Sequence, residues 1–349
     1  MMKFKTKRRW GIIRDYMIGW TLAFFFICIV RGVGTVELSS VQFEFWESIL
    51  VSSVFGPFFG AISGYAQIIL EERFYKRISL LRLLLIRFVY AILFLAVIIV
   101  LSYLMVTQFF GEAKGIIAFA FEPGSGAIYF YIISVDLFMV MLRQVNLMLG
   151  EDNLWKLLKG EFYSPREEER IFMFLDLQSS TEHAERLGHI TYSKMIQDCF
   201  NDLGVVVENE AEIYQYVGDE VILTWKLKDG LRNANCLNAY YNFKSQITKR
   251  QGHYVEHYNC VPFFKAGINS GIVTVTEVGK YKKEIAYHGD TINTAARIQG
   301  KCNEFNSEVL ISEHLKIQLS ASTYEFTPLD SIQLKGKKGS VIIYAVLPN

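Results

Sequence analysis

The sequence has few cysteines, no excess of either charge and no cleavage site after its first apolar segment, and each absence narrows the range of possible functions. Its five cysteines form no CxxC pair and no spacing typical of a metal motif, so we expect reduced, mostly buried thiols. The 36 lysines and arginines balance 35 aspartates and glutamates, and this net charge of +1 predicts no nucleic-acid partner. No A-x-A cleavage site follows the first apolar segment, which we therefore interpret as an anchor.

Apolar residues, by contrast, make up 51% of the chain and are concentrated toward its beginning. A length of 349 residues allows about two domains. Spanning a bilayer takes about 20 mostly apolar residues, and four segments approach that length: 12–30, 49–70, 83–106 and 127–142. We predict a transmembrane domain over residues 1–145, a linker helix over 146–168 and a second domain over 169–349.

The distribution of charge predicts the orientation of the four spans. Basic residues precede the first span and separate the second from the third: Lys3, Lys5, Lys7, Arg8, Arg9, Arg73, Lys76, Arg77 and Arg82. The loop after the first span carries Glu37, Glu44 and Glu47 instead. The positive-inside rule then predicts a multi-pass protein of the cell (inner or plasma) membrane, in contact with lipid, with its N-terminus and second domain in the cytoplasm.

Three charged residues, Arg14, Asp15 and Arg87, lie near the ends of these segments, and we expect their side chains to reach the membrane interface. Four spans without a polar path argue against a transporter. This half offers no ligand motif, so an anchor and a sensor both stay open.

The second domain centres on the stretch from Ile171 to Thr181. Five of the six residues before Asp176 are large and apolar, as a buried strand requires. Ser179, Ser180 and Thr181 follow with N-cap chemistry, and their backbone N–H groups would face an anion beside Asp176. The pattern suits a metal–phosphate site, and a simple helix cap at Asp176 explains it equally well.

A β-hairpin is predicted where two β-rich runs flank Gly218 and Asp219. The order strand–helix–strand–strand–helix–strand predicts an α+β, ferredoxin-like (βαββαβ) fold, in which the first strand and the hairpin can lie side by side. Asp176 and Asp219 would then meet at one end of the sheet. Two adjacent carboxylates imply Mg²⁺ or Mn²⁺ between them, and ligands without histidine or cysteine point away from zinc.

Three motifs occur in this order: Phe174-Leu175-Asp176-Leu177-x-x-Ser180-Thr181, Gly218-Asp219 and Asn293-x-Ala295-Ala296-Arg297, with a closing Leu334-Lys335-Gly336-Lys337. Over about residues 170–346 the chain resembles the class III nucleotidyl cyclases. The resemblance implies the class III cyclase catalytic domain behind a four-helix transmembrane module. It also implies an enzyme that binds a nucleoside triphosphate, as an adenylate cyclase does when it converts ATP to 3′,5′-cyclic AMP and pyrophosphate.

The resemblance assigns a role to each matching residue. Asp176 and Asp219, with the backbone of Leu177, match the site of two divalent cations, Mg²⁺ or Mn²⁺. The loop that holds the triphosphate is matched by Leu177, Gln178, Ser179, Ser180 and Thr181. Asn293 matches the residue that orients the ribose and Arg297 the one that stabilises the transition state.

Lys335 matches the lysine that contacts the terminal phosphates. Members of the family act as head-to-tail dimers, with metal residues from one subunit and Asn/Arg from the other. Because this chain carries both sets, the resemblance implies a homodimer with shared active sites.

The chain departs from the family at the two positions that contact the base. Adenylyl cyclases often have lysine where Gln215 stands and aspartate or threonine where Ala286 stands. Gln215 both donates and accepts hydrogen bonds, so it is compatible with adenine without requiring it. ATP is the expected substrate by its frequency in the family, and a guanylate or pyrimidine nucleotide cyclase remains the alternative.

Two further alternatives come from different classes of protein. Val217-Gly218-Asp219-Glu220-Val221 is also close to the Gly-Gly-Asp-Glu-Phe signature of diguanylate cyclases, but that interpretation leaves the Asn293/Arg297 helix unexplained. A non-catalytic receptor with a cyclase-like domain would need fewer of the matching residues than are present.

Overall fold

The computed structural model describes residues 4–32, 45–73, 79–110, 115–122, 125–150, 153–319, 324–333 and 340–348. Lys335 and the loop residues Glu37 and Glu44 lie outside these ranges. The chain forms two compact units, which comprise essentially Thr6–Met148 and Leu149–Asn349.

Long apolar helices make up the first unit. Its helices are α1 (Phe4–Gly32), α2 (Phe45–Arg73), α3 (Leu80–Phe110), α4 (Ile116–Ala120) and α5 (Ser125–Leu149). By length and composition α1, α2, α3 and α5 can each cross a membrane. These four helices contain the four predicted spans and extend beyond them, because charged and polar residues at the span ends continue the helical hydrogen bonding.

Glycines at a spacing of four residues bring α2 against α1. A Cβ atom on Gly60 would lie 2.4 Å from the Cα of Met17, and one on Gly56 would lie 2.6 Å from the Cα of Thr21. Such contacts are shorter than side chains allow, so only glycine permits this approach of the two backbones. Small residues allow the same close approach in helix pairs of membrane proteins.

We expect Gly60→Ala to destabilise the first unit by about 1–3 kcal/mol, because its methyl group meets backbone atoms that cannot rotate away. Thermal unfolding of the full chain in detergent measures the effect. Gly11→Ala in α1 is the matched control, since nothing lies within 4 Å of its Cβ position. Equal unfolding midpoints for the two variants would contradict the close packing of α1 on α2.

The expectation that Arg87 reaches the membrane interface is wrong. Its side chain is 0% exposed, and its Nη2 atom lies 3.3 Å from Oδ1 of Asp136, which is itself 1% exposed. Hydropathy along the sequence shows that Arg87 lies near the end of a helix, but it does not show which way the side chain faces. The position of this side chain was therefore predicted incorrectly. Arg14 and Asp15 do lie on the surface of α1, where they pair with each other at 2.9 Å.

The second unit is an α+β domain. Its strands are β1 (Arg166–Leu177), β2 (Glu212–Val217), β3 (Glu220–Lys226), β4 (Phe264–Val278), β5 (Glu284–His288), β6 (Val309–Ser312), β7 (Tyr324–Gln333) and β8 (Ser340–Pro348). Its helices are α6 (Asn153–Leu158), α7 (Ser180–Asp202), α8 (Leu227–Leu231), α9 (Asn235–Lys249), α10 (Gln251–Tyr258), α11 (Asp290–Gln299) and α12 (Glu313–Gln318).

One mixed sheet organises this domain. Its strand order is β2-β3-β1-β4-β6-β8-β7, with β5 paired to β4. The segment β2-β3-β1-β4, with α7 and α9 as its two connections, is the predicted βαββαβ arrangement, so the fold class is confirmed. The first strand and the hairpin do lie side by side, since Leu175 pairs with Val221.

The two faces of β1 separate the packing core from the site. Ile171, Met173 and Leu175 are 0% exposed and belong to the main core with α7 and α9. Phe172 and Phe174 point to the other face, where they pack with Ala295 of α11 in a smaller cluster. Asp176 follows on this second face because side chains alternate along a strand.

The boundaries of some elements differ from those predicted. The linker was predicted as a helix over residues 146–168. Its described residues (146–150 and 153–168) contain the end of α5 and the short α6, and β1 already begins at Arg166. That early start has a tertiary cause, since the whole of β1 pairs with β4, from Leu177 opposite Phe264 to Arg166 opposite Val275. The strands β5 and β7 were not predicted from the sequence.

Candidate active site

Asp176 and Asp219 approach each other at one end of the sheet. Asp176 is the second-last residue of β1, and Asp219 lies in the two-residue turn between β2 and β3. Gly218 has φ +63°, which glycine adopts without strain and which lets this turn close. Burial raises the pKa of the Asp176 carboxyl, and the negative charge of Asp219 raises it further.

A third carboxylate adds to this concentration of negative charge. Burial and the charges of Asp176 and Asp219 raise the pKa of Glu220 to about 7. The Oδ2 atom of Asp219 is buried and has no hydrogen-bond partner among the described residues. A divalent cation fits these carboxylates. It would offset the repulsion between their negative charges and would coordinate the unpartnered oxygen of Asp219.

The ligands for such a cation would not all be side chains. Within the described ranges no group of three His, Cys, Asp or Glu side chains is placed to hold a metal ion. Mg²⁺ is usually bound through one or two carboxylates, water and phosphate oxygens of a substrate. The pair Asp176 and Asp219 fits that mode of binding.

Because the carboxyl pKa values of Asp176 and Glu220 are raised, we expect the stability of the metal-free chain to depend on pH. A carboxyl group whose pKa is higher in the folded state binds more protons there, so its stabilising effect is complete below the unfolded pKa and is lost as pH rises through the folded value. For Glu220 this window runs from about pH 4.5 to about pH 7. We expect the unfolding midpoint in EDTA to fall across this window, and to fall less in Glu220→Gln. A larger fall in the variant would contradict the assignment.

The loop after β1 leads into α7, whose N-terminal end has no capping hydrogen bond from the Ser179 side chain. Ser179 is the N-cap residue of α7, in the left-handed conformation with φ 55° and ψ 33°, but its side chain makes no capping hydrogen bond. The prediction of side-chain capping is therefore wrong for Ser179. The first N–H groups of a helix have no partner within it, so Ser180 and Thr181 offer donors to an anion. The Gln178 N–H instead donates to the Phe263 carbonyl at 2.9 Å.

Asn293 and Arg297 lie one helical turn apart on α11. Asn293 is exposed, and Arg297 is half-buried with its Nη1 atom 4.0 Å from Oδ1 of Asp290. Gln299 comes two residues after Arg297, which is about 200° around the helix axis. Its Nε2 atom donates to Oδ2 of Asp176 at 3.3 Å. One side of α11 thus contacts Asp176, and Arg297 points in a different direction.

The two positions matched to base recognition lie on strands that do not pair with each other, β2 and β5. Gln215 is exposed on β2, and Ala286 is half-buried on β5. Their chain neighbours meet, since the Tyr287 N–H donates to the Tyr214 hydroxyl at 3.4 Å and the two rings are 5.0 Å apart. Lys335, matched to the terminal phosphates, lies outside the described residues.

Three residues near the carboxylates were not predicted from the sequence: Gln299, Tyr192 and Glu220. Burial and the charges of Asp219 and Asp176 raise the pKa of the Tyr192 hydroxyl to about 12, and Tyr192 also hydrogen-bonds with Ser180. Glu220 could have been noticed as the neighbour of Asp219. Nothing in the sequence indicates Tyr192, which reaches the site because of how α7 packs on the sheet.

Comparisons with known proteins bear on this arrangement. A model of the adenylate and guanylate cyclase catalytic domain matches residues 162–348. Adenylate cyclase 2 of Rhizobium meliloti (strain 1021) is 33% identical over 178 residues, which are 51% of this chain and 49% of that protein. The adenylate cyclase of Anabaena cylindrica is 24% identical over 191 residues, which are 50% of this chain and 36% of that protein.

A solved structure gives a similar result for the fold. A bacterial light-regulated adenylyl cyclase aligns with a TM-score of 0.53 and 15% identity, covering 63% of this chain and 64% of that chain. The aligned region of the present chain spans about half or less of the two curated relatives. The helices of the first unit lie outside the region that the family model matches.

Proposed function

The chain belongs to the adenylate and guanylate cyclase catalytic domain family, and we propose that it is a membrane-bound adenylate cyclase. In the proposed reaction the 3′-hydroxyl oxygen of ATP attacks the α-phosphorus. The bond from that phosphorus to the bridging oxygen of the β-phosphate breaks, so that 3′,5′-cyclic AMP and pyrophosphate form. The observation that carries the proposal is the pairing of Asp176 with Asp219 inside the region matched by the family model.

Asp176, Asp219 and the backbone carbonyl of Leu177 are the groups that we propose hold two Mg²⁺ or Mn²⁺ ions. When bound, such ions would lower the pKa of the attacking hydroxyl group and offset the negative charge of the phosphate oxygens. The unpartnered Oδ2 atom of Asp219 supports this assignment. The free N–H groups of Ser180 and Thr181, at the start of α7, would bind the triphosphate.

Arg297 would stabilise charge at the α-phosphate, because a guanidinium presents fixed donors and does not lose its proton. Asn293, one turn earlier on the same exposed side of α11, would orient the ribose, and Lys335 would contact the terminal phosphates. Arg297 points away from the side of α11 that contacts Asp176 of its own chain. This supports a homodimer in which each site takes Asp176 and Asp219 from one chain and Asn293 and Arg297 from the other.

Gln299 is proposed to position the Asp176 carboxylate. Its approach depends on Gly267, since a Cβ atom there would lie 2.1 Å from the Gln299 backbone nitrogen. We expect Gln299→Leu to raise the Mn²⁺ concentration for half-maximal activity about fivefold, because losing one hydrogen bond of about 1 kcal/mol releases the carboxylate. Direct Mn²⁺ binding by electron paramagnetic resonance should weaken in parallel.

The matched control for Gln299 is Gln246→Leu, whose amide donates to the remote Asp202 at 3.3 Å. It should leave Mn²⁺ affinity unchanged. Equal Mn²⁺ affinity in Gln299→Leu and the native chain would remove the positioning role.

The membrane assignment rests on the first unit. The four helices of sufficient length and apolarity support a multi-pass protein. Basic residues before the first span and after the second support a cytoplasmic N-terminus and catalytic domain in the cell membrane.

One experiment tests both the activity and the base. The full chain, purified in detergent with Mn²⁺, is given ATP, GTP, CTP and UTP separately, and the products are identified by mass. We expect cyclic AMP and pyrophosphate from ATP at the highest rate. Preferential turnover of GTP or of a pyrimidine nucleotide would replace the proposed substrate, and no product from any of the four would favour a non-catalytic receptor.

A further inference from the structure

A cluster of charged and polar side chains is enclosed by the apolar helices of the first unit. Its members are Ser63 of α2, Arg87 of α3 and Asp136 of α5, each at most 1% exposed. The Ser63 hydroxyl donates to Oδ1 of Asp136 at 2.7 Å, and Arg87 Nη2 lies 3.3 Å from both the Ser63 hydroxyl and that carboxylate oxygen. Ionisable residues at such depth in a membrane protein are costly and usually functional.

Several polar atoms of this region have no hydrogen-bond partner. Among the residues that the structure describes, the buried atoms Nε and Nη1 of Arg87, Oδ2 of Asp136, the hydroxyl of Tyr90 and Nε1 of Trp20 are all unpartnered. Each such group costs about 1–3 kcal/mol when buried, so their concentration in one place needs an explanation. A bound molecule that meets these groups would supply it.

The unpartnered atoms define the chemistry of that molecule. Arg87 and Trp20 can only donate, Tyr90 can donate or accept, and Asp136 offers the single obligate acceptor. Donors therefore dominate, and a matching molecule presents acceptor oxygens. The charges of Arg87 and Asp136 already balance each other, so an ionic ligand would leave a net charge inside the apolar unit, whereas a neutral one would not.

Aromatic rings surround the cluster and define the body of the molecule. The Arg87 guanidinium carbon lies 4.9 Å from the centre of the Tyr90 ring. The Tyr90 ring stacks on Phe94 at 5.7 Å, and Phe94 contacts Trp20 edge to face at 6.2 Å. Rings beside a guanidinium favour a flat apolar body next to the oxygen-bearing group.

We propose that the first unit contains a binding site, centred on Arg87, Asp136 and Ser63, for a neutral, membrane-soluble aromatic compound that carries a carbonyl oxygen. The carbonyl accepts hydrogen bonds from Arg87, and the apolar body of the compound packs beside Tyr90, Phe94 and Trp20. The site lies in helices that the family model does not match, and it does not depend on the proposed cyclase activity.

The test compares compounds that differ only in the carbonyl. The full chain in detergent is heated with benzophenone or diphenylmethane, and separately with acetophenone or ethylbenzene. A ligand well above its Kd raises the unfolding midpoint, so we expect each ketone to raise it by several degrees more than its hydrocarbon partner. Irradiation of bound benzophenone attaches it to neighbouring C–H bonds, and we expect the label on peptides that contain Arg87 or Asp136.

The double variant Arg87→Met/Asp136→Leu removes both charges together, because replacing a buried ion pair by apolar side chains usually preserves folding. We expect it to lose the difference between ketone and hydrocarbon, and the benzophenone label at α3 and α5. Arg9→Gln/Glu72→Gln is the matched control, since this ion pair joins α1 and α2 at 2.7 Å but is exposed. It should retain both effects.

Two results would overturn the site. Equal midpoints for ketone and hydrocarbon in both pairs, with the native chain, would leave only water as the occupant of the cluster. Benzophenone labelling spread along the lipid-facing surface and unchanged in the double variant would indicate partition into detergent. Neither measurement needs nucleotide, so failure here leaves the proposed cyclase function untouched.

Discussion

Replacing Asp176 with asparagine should reduce nucleotide cyclisation by the full chain about 1,000-fold, which corresponds to about 4 kcal/mol of lost transition-state stabilisation. Asparagine keeps the shape of the side chain but removes the charge that would hold a divalent cation. The same change removes one of the charges that crowd Asp219 and Glu220. The metal-free variant should therefore be at least as stable as the native chain at pH 8, while Mn²⁺ should no longer raise its unfolding midpoint.

Reduced activity together with undiminished stability would show that the variant has lost the cation and kept its fold. Asp229→Asn provides the matched control, since Asp229 pairs with Arg232 at 2.8 Å and lies outside the site. Its activity should stay within about twofold of native, because surface ion pairs contribute about 0–1 kcal/mol. If Asp176→Asn retained a tenth or more of the activity and its Mn²⁺ response, Asp176 would not be a metal ligand.

The sequence predicted the centre of the fold because that part is dictated by local patterns. The apolar run before Asp176 and the glycine of the hairpin turn each require one conformation, and together they identify β1, β2 and β3. Features that depend on contacts between residues far apart in the sequence could not be predicted. β1 starts at Arg166 because it pairs with the far end of β4, and Arg170, 1% exposed, is buried because Thr224 and Glu212 satisfy it from β3 and β2.

The residues of the candidate site also fall into those that local sequence predicts and those that it does not. The two aspartates are recognisable because each lies directly at the end of a patterned element. Gln299 and Tyr192 lie on helices where glutamine and tyrosine are ordinary residues, and only the packing of α11 and α7 brings them to the carboxylates. Arg87 was misplaced for a related reason, since its partner Asp136 is 49 positions away in the chain.

Co-expression of two inactive variants should restore activity if the sites are shared. In an Asp219→Asn chain the proposed metal residues are defective, and in an Arg297→Ala chain the residue proposed to stabilise the transition state is missing. A dimer of one with the other contains one complete site, built from native Asp219 and native Arg297 of different chains. Random pairing should then give about a quarter of native activity, and dimers purified through a different tag on each chain about half.

The geometry of α11 is the reason for this expectation. Gln299 contacts Asp176 within one chain, while Arg297 lies about 200° around the same helix and Asn293 is exposed beside it. The matched control co-expresses Asp176→Asn with Asp219→Asn, where both changes affect the metal residues and every dimer lacks a complete site. Equal activity from the two co-expressions, whether restored or absent, would contradict sites shared between two chains. Recovery confined to the Asp219→Asn and Arg297→Ala pair requires Arg297 to act in the site whose two aspartates belong to its partner.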